Sequence, residues 1–184
     1  MRHLPFLLLL LPLCLSAQDN PQYAAIFIPA ELLKNANAVV RQQDIVFTVK
    51  SAGEAVLREK RAVTLFNDVS HYDILVLHYN SFNKIGKIKG RVYDRNGRFV
   101  REIGKHEVRD VSAISSFSIY EDSRVRYVDV DYSDFPYTVE YEYDMTYKDL
   151  LDYPNWRMGE FGAAVQQALS ITWATGLPTA TCCW

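Results

Sequence analysis

The chain has 184 residues, enough for one domain with a sizeable core, and 49% of them are hydrophobic, which excludes a disordered chain. Its formal charge is -2 with a pI near 6.1, so no basic excess points to nucleic acid or an anionic membrane surface. The 13% aromatic share is mostly Tyr, which suits half-buried strands.

Residues 1–17 read as a secretory signal peptide. Arg2 supplies the positive start, residues 4–15 are apolar, and Leu15-Ser16-Ala17 offers a cleavage point before Gln18. The run is short for a transmembrane span, and Pro5 and Pro12 interrupt it as a core helix. Cys14 would suit a lipoprotein, but Leu13 stands where a small residue is wanted. Export to the periplasm or cell envelope is expected, with no transmembrane span left after cleavage.

Residues 18–23 read as an extended leader. Pro29 then opens a short helix over 30–36, with Glu31 in its first turn. Residues 39–50 alternate as a strand, 51–54 turn, and 55–66 return as a second strand. Residues 73–79 are apolar on both parities, as in a strand buried on both faces. Residues 82–92 carry Lys84, Lys87 and Lys89 on a wet face. Asp94-Arg95-Asn96-Gly97 then makes a hairpin turn into 98–103, with Asn-Gly supplying the left-handed φ. Residues 104–116 read as loop or irregular helix.

The clearest β pattern lies in 124–147. It reads as a hairpin, with strand 124–132, an acidic turn at 133–136 and a second strand from Tyr137. In that second strand Tyr137, Val139, Tyr141 and Tyr143 share one face, while Thr138, Glu140, Glu142 and Asp144 form a wet one. The expectation is a mainly β fold, an antiparallel β-sandwich-like domain over 18–165 with one or two short helices. Residues 166–184 change texture and read as an atypical tail, truncated or shifted out of an ancestral frame. Cys182 and Cys183 are adjacent, a spacing that disfavours a mutual disulfide, and read as two thiols in a floppy tail.

Chemistry is nearly silent. No Gly-x-Ser-x-Gly elbow accompanies His71, His78 or His106, and no CxxC or phosphate loop is present. His78 reads as a core or rim histidine; the other two read as solvated. No catalytic, cofactor or metal residue is assigned. Asp129, Asp131 and Asp134 offer carboxylates to calcium but lack the EF-hand pattern, so a polar turn is the preferred reading. Weak candidates for ligand contact are Tyr137, Tyr141 and Tyr143, as a stacking face for sugars, and Lys84, Lys87 and Lys89, as an anion-binding edge. The competing readings are a core layer for the tyrosines and lysine protection of an exposed edge strand.

Residues 35–49 (NANAVVRQQDIVFTV), 90–103 (GRVYDRNGRFVREI) and 134–157 (DFPYTVEYEYDMTY through PNWR) together resemble the exported bacterial domain of unknown function 3857. The resemblance covers about residues 24–165, and Pro136 to Tyr141 is its most specific part. It implies a β-sandwich-like fold, an envelope location and a place N-terminal to a transglutaminase-like core, with no established activity. On this reading the chain is an exported, non-catalytic accessory module. Its partner would be a transglutaminase-like domain, an envelope protein or a glycan. The alternatives are an envelope glycan- or peptide-binding domain and the N-terminal fragment of a transglutaminase-like enzyme.

Overall fold

The structure is a computed structural model and describes residues 19–69, 72–113, 122–148, 163–174 and 181–183. The signal-peptide stretch, His71 and the PNWR run lie outside the described residues. Twelve strands occur among them: β1 (Ala38–Ser51), β2 (Glu54–Leu65), β3 (Leu75–Tyr79), β4 (Asn83–Ile85), β5 (Lys89–Tyr93), β6 (Phe99–Glu102), β7 (Val108–Ser112), β8 (Arg124–Val128), β9 (Tyr137–Tyr147), β10 (Ala163–Val165), β11 (Ala168–Ala174) and β12 (Thr181–Cys183). The fold is mainly β, as the alternation predicts.

The larger sheet runs β12-β11-β1-β2-β9-β5-β6, with β10 also on β1 and β4 also on β9. The smaller runs β3-β8-β7. Most neighbours are antiparallel, but β10 and β11 join β1 in parallel. One core lies between the sheets. The large sheet supplies Val40, Phe47, Leu57, Val63, Val139 and Met145, and Leu75, Leu77 and Val128 come from the small one. Each such side chain stabilises by roughly 1.5–3 kcal/mol on full burial.

Five sequence expectations are corrected. Residues 124–147 do not form a hairpin. β8 pairs with β3 and β7 in the small sheet, whereas β9 pairs with β2, β4 and β5 in the large one. The segment between them is therefore a crossing from sheet to sheet, and it ends at the cis Phe135–Pro136 bond. Second, residues 73–79 are not buried on both faces. Leu75 and Leu77 face the core, while Val76 and His78 are exposed. Third, the predicted helix over 30–36 is a single 3₁₀ turn, Ala30–Leu33, ended just before Asn35, which takes a left-handed φ of 60°. Fourth, the stretch 104–116, expected as loop or irregular helix, holds a 3₁₀ turn at Lys105–Glu107 but then β7, whose short and largely exposed sequence gives no apolar alternation to read. Fifth, the leader expected to be extended over 18–23 instead makes 3₁₀ turns at Pro21–Tyr23 and Ala25–Phe27.

The alternation in β1 contains a phase change. Ala38 and Val40 face the core, and so do Ile45 and Phe47, although their parity differs. A bulge between Val40 and Gln42 leaves Arg41 as the extra residue and shifts the phase by one. Opposite that bulge, the Gln166-Gln167 link separates β10 from β11. The backbone of Gln166 donates to the Val40 carbonyl at 2.8 Å, and Gln43 donates to the Gln167 carbonyl at 3.0 Å.

The β5–β6 turn follows the expected residues, but only Gly97 takes positive φ, at 75°. Gly97 donates to the Asp94 carbonyl, and the register shifts at Tyr93. The left-handed residue is thus the glycine alone, followed by a bulge.

Candidate interaction surfaces

The tyrosine face of β9 points between the sheets. Tyr137 is 1% exposed and Tyr141 3%, and Tyr143 is half-buried. Tyr137 donates to the Asp73 carboxylate at 3.0 Å, and Tyr141 donates to the Asp73 carbonyl. Tyr143 donates to Glu59 at 2.5 Å, and the other Glu59 oxygen accepts from Gln43 at 3.0 Å. Tyr132 and Phe135 pack on the Tyr137 ring with centroids 5.0 and 5.2 Å away. Burial, with Asp73 or Glu59 close by, pushes all three hydroxyls far above the ordinary tyrosine range. These rings are fixed by hydrogen bonds at their tips, and two of the three are closed to solvent.

The lysines separate. Lys84 and Lys87 are exposed. Lys89 is exposed too, but it pairs with Glu142 at 2.9 Å. β5 lies between β9 and β6, but its register with β6 begins at Arg91, so Lys89 is paired only on its β9 side. It belongs to a cross-strand row on the outer face, Asp44, Lys60, Glu142 and Lys89, in which charge alternates from strand to strand.

The outer face of β9 is not wet at its start, which corrects the sequence reading. Thr138 and Glu140 are 1% and 3% exposed. Residues 19–27 lie across them, with Tyr23 buried at 3%. Glu140 accepts from Tyr23 at 2.7 Å and pairs with Arg91 at 3.0 Å and Lys60 at 3.2 Å. Thr64 and Thr138 share a 2.8 Å hydrogen bond beside it. A buried carboxylate needs such partners, and here they come from two strands, β2 and β5, and the leader.

A cleft of about 820 Å³ opens where β6, the following turn, β7 and the crossing segment meet. Arg101 grips Glu107 through two hydrogen bonds of 2.8 and 2.9 Å and donates to the Asp131 carbonyl at 3.2 Å. Glu107 also accepts from the Gly104 N–H at 2.7 Å. The Arg101 bonds, with help from Gly104, hold the Glu107 carboxyl below its usual range. Asp129 and Asp131 lie exposed at the wall on either side of buried Val130, just past the end of β8. His106 stands exposed at the mouth. Among the described residues no Phe, Tyr or Trp lines this cleft, and its lining is mostly charged, so it suits polar ligands. Among the described residues no group of three or more His, Cys, Asp or Glu is arranged to hold a metal ion.

At the far end of the small sheet, Asp110 accepts from Tyr79 at 2.7 Å and from Arg126 at 3.0 Å, and pairs with Arg124 at 2.8 Å. The Tyr79 bond, aided by the two arginines, pushes its carboxyl down to about 2. The Arg126 guanidinium lies over the Tyr79 ring, 5.4 Å from its centroid. Sequence reading did not single out this knot, because its members are brought together only by pairing of β3, β8 and β7. Cys182 and Cys183 have their backbone in β12, paired with β11.

These features define a two-sheet β domain with a polar cleft at one sheet junction and a leader packed on its outer face. The chain belongs to the family described as the domain of unknown function with a solved structure, DUF3857, whose model matches residues 51–180. No curated protein matches the sequence. Among solved structures, the chain is similar to a "putative protease" from Parabacteroides distasonis, with a TM-score of 0.65 and 19% identity over 75% of this chain. The chain spans 29% of that protein's length, and the likeness shows the fold. The CBM3a-L domain of a scaffoldin from the Clostridium thermocellum cellulosome matches at a TM-score of 0.41 and 12% identity, over 70% of this chain and 81% of its own. That similarity is too low to bear on function.

Proposed function

We propose that the chain is an exported, non-catalytic accessory module that works beside a transglutaminase-like cysteine-protease-fold domain. The observation that carries this reading is the recurrence of the fold as 29% of a longer chain described as a "putative protease". The side chains agree with an accessory role. The carboxylates that are most enclosed, Glu140 and Glu107, are committed to arginine and backbone partners. The signal-peptide pattern of residues 1–17 supports an envelope location.

The test is to read the gene downstream of codon 165 in all frames. An open frame encoding a Cys, His and Asp set in a further domain is the expected result. A clean stop with no coding potential beyond it would remove the enzymatic partner from the proposal.

The cleft favours a second reading, an envelope-peptide or glycan site. Its mixed lining of Arg101, Glu102, Arg109 and Asp131 can hydrogen-bond a polar chain. On that reading, Glu102→Lys weakens retention on isolated envelope material while the melting temperature stays unchanged. Equal retention of variant and wild type would eliminate it.

A further inference from the structure

The leader sits on the large sheet in the way a bound peptide would. Its backbone is held by one guanidinium. Arg41, 5% exposed, donates to the carbonyls of Gln22 at 2.5 Å, Tyr23 at 3.1 Å and Ala24 at 3.3 Å. Its remaining bonds go to Thr64 and Gln166, and no carboxylate pairs with it among the described residues. Three successive carbonyls therefore serve in place of a counter-ion, and carbonyls carry no sequence information.

The side chain of Tyr23 is read differently. Its ring meets Tyr93 edge to face at 5.2 Å, against Ala62, and its hydroxyl reaches buried Glu140 at 2.7 Å. Two further main-chain bonds, Asn20 to the Gly97 carbonyl and Ala25 to the Arg95 carbonyl, lay the leader along the β5–β6 turn. Immediately beyond, Ile26 is 86% and Phe27 61% exposed, before the chain is buried again at Ile28, 6% exposed. Backbone capture plus one specificity pocket is the division of labour found in peptide-recognition sites.

We infer that this slot is a binding site for a short peptide segment that folds into tight 3₁₀ turns around a tyrosine, and that residues 20–25 occupy it in cis as a displaceable pseudo-ligand. A partner's segment binds by exchanging with the leader. Arg41 takes its carbonyls, Tyr93 and Ala62 take the ring, and Glu140 selects tyrosine over phenylalanine. The site lies on the outer face of the large sheet and involves none of the cleft residues.

The probe is a fluorescent peptide of residues 19–27, DNPQYAAIF, titrated by anisotropy into the full chain and its Tyr23→Phe and Tyr23→Ala variants. Both substitutions weaken the resident leader and leave the slot intact. Affinity is expected to rise from wild type through Tyr23→Phe to Tyr23→Ala, by about tenfold or more overall. On the Tyr23→Ala chain, a probe with Phe in place of Tyr should bind about tenfold more weakly, the loss expected for a hydrogen bond to a charged acceptor. No gain in either variant, or equal binding of the two probes, overturns the inference. So does a dimer of the chain that the probe fails to dissociate, since the slot would then belong to a neighbouring copy's leader. If the variants do not fold, hydrogen exchange on the wild-type chain decides. The amides of Asn20 and Ala25 should exchange through local opening, faster than those of β2 and β9. Exchange of all of them only by global unfolding contradicts a displaceable leader.

Discussion

At the scale of single residues, the side chains that looked available for ligands divide by what they touch. Tyr141 packs in the core and hydrogen-bonds to Asp73, so Tyr141→Ala should cost about 3–5 kcal/mol in denaturant unfolding, like other large-to-small aromatic truncations. A variant of wild-type stability that had lost binding would instead make the ring a ligand platform. The lysines should respond unequally. Lys89→Glu sets two acids opposite each other, with Glu142, and should cost about 0.5–1 kcal/mol. Lys87→Glu should stay within about 0.5 kcal/mol of wild type. Asp110 gives a pH signature. Its folded-state pKa lies near 2, below the unfolded value, so it contributes stability above about pH 4 that is lost as pH falls toward 2. The melting-temperature gap between wild type and Asp110→Asn should therefore narrow over that window. A gap independent of pH would contradict the Tyr79, Arg124 and Arg126 assignment.

At the scale of elements, the legible and illegible parts have separate physical causes. Strand character was readable at 39–50, 55–66 and 137–147 because one face of each is buried and the side-chain period is two. Pairing was not readable. Nothing local to residues 124–147 tells that β8 joins β3 and β7, because β3 lies far back in sequence and β7, the preceding strand, carries no apolar alternation. The wet face assigned to Thr138 and Glu140 failed for a similar reason. What covers it is Tyr23, 117 residues away from Glu140. The candidate tyrosines were visible as a face, whereas the leader slot was not. Its key residue, Arg41, reads as an ordinary outward-facing strand arginine, because nothing local tells that the leader folds back over it. The same guanidinium also holds the Gln166 side chain at 2.8 Å. It therefore ties the leader to the β10–β11 link. Arg41→Met should leave several buried carbonyls unpaired, at about 2–3 kcal/mol or more, and raise hydrogen exchange in 20–27 and 163–174 together. A rise in only one of the two would show that they are not coupled through Arg41.

At the scale of the whole molecule, two sheets of unequal size enclose one core, and the surface carries the features with potential for recognition: the cleft beside β6 and β7, and the leader slot on the opposite face of the large sheet. No helix among the described residues is long and apolar enough to cross a membrane. On the proposed reading, chemistry belongs to a partner domain and recognition to this one. The most direct test of that reading is an assay of peptide hydrolysis and amine incorporation by the purified chain, alongside a Cys182→Ala, Cys183→Ala double variant. The account predicts no turnover above buffer in either protein. Turnover by the wild-type chain that the double variant lacks would contradict it and make this domain an enzyme in its own right.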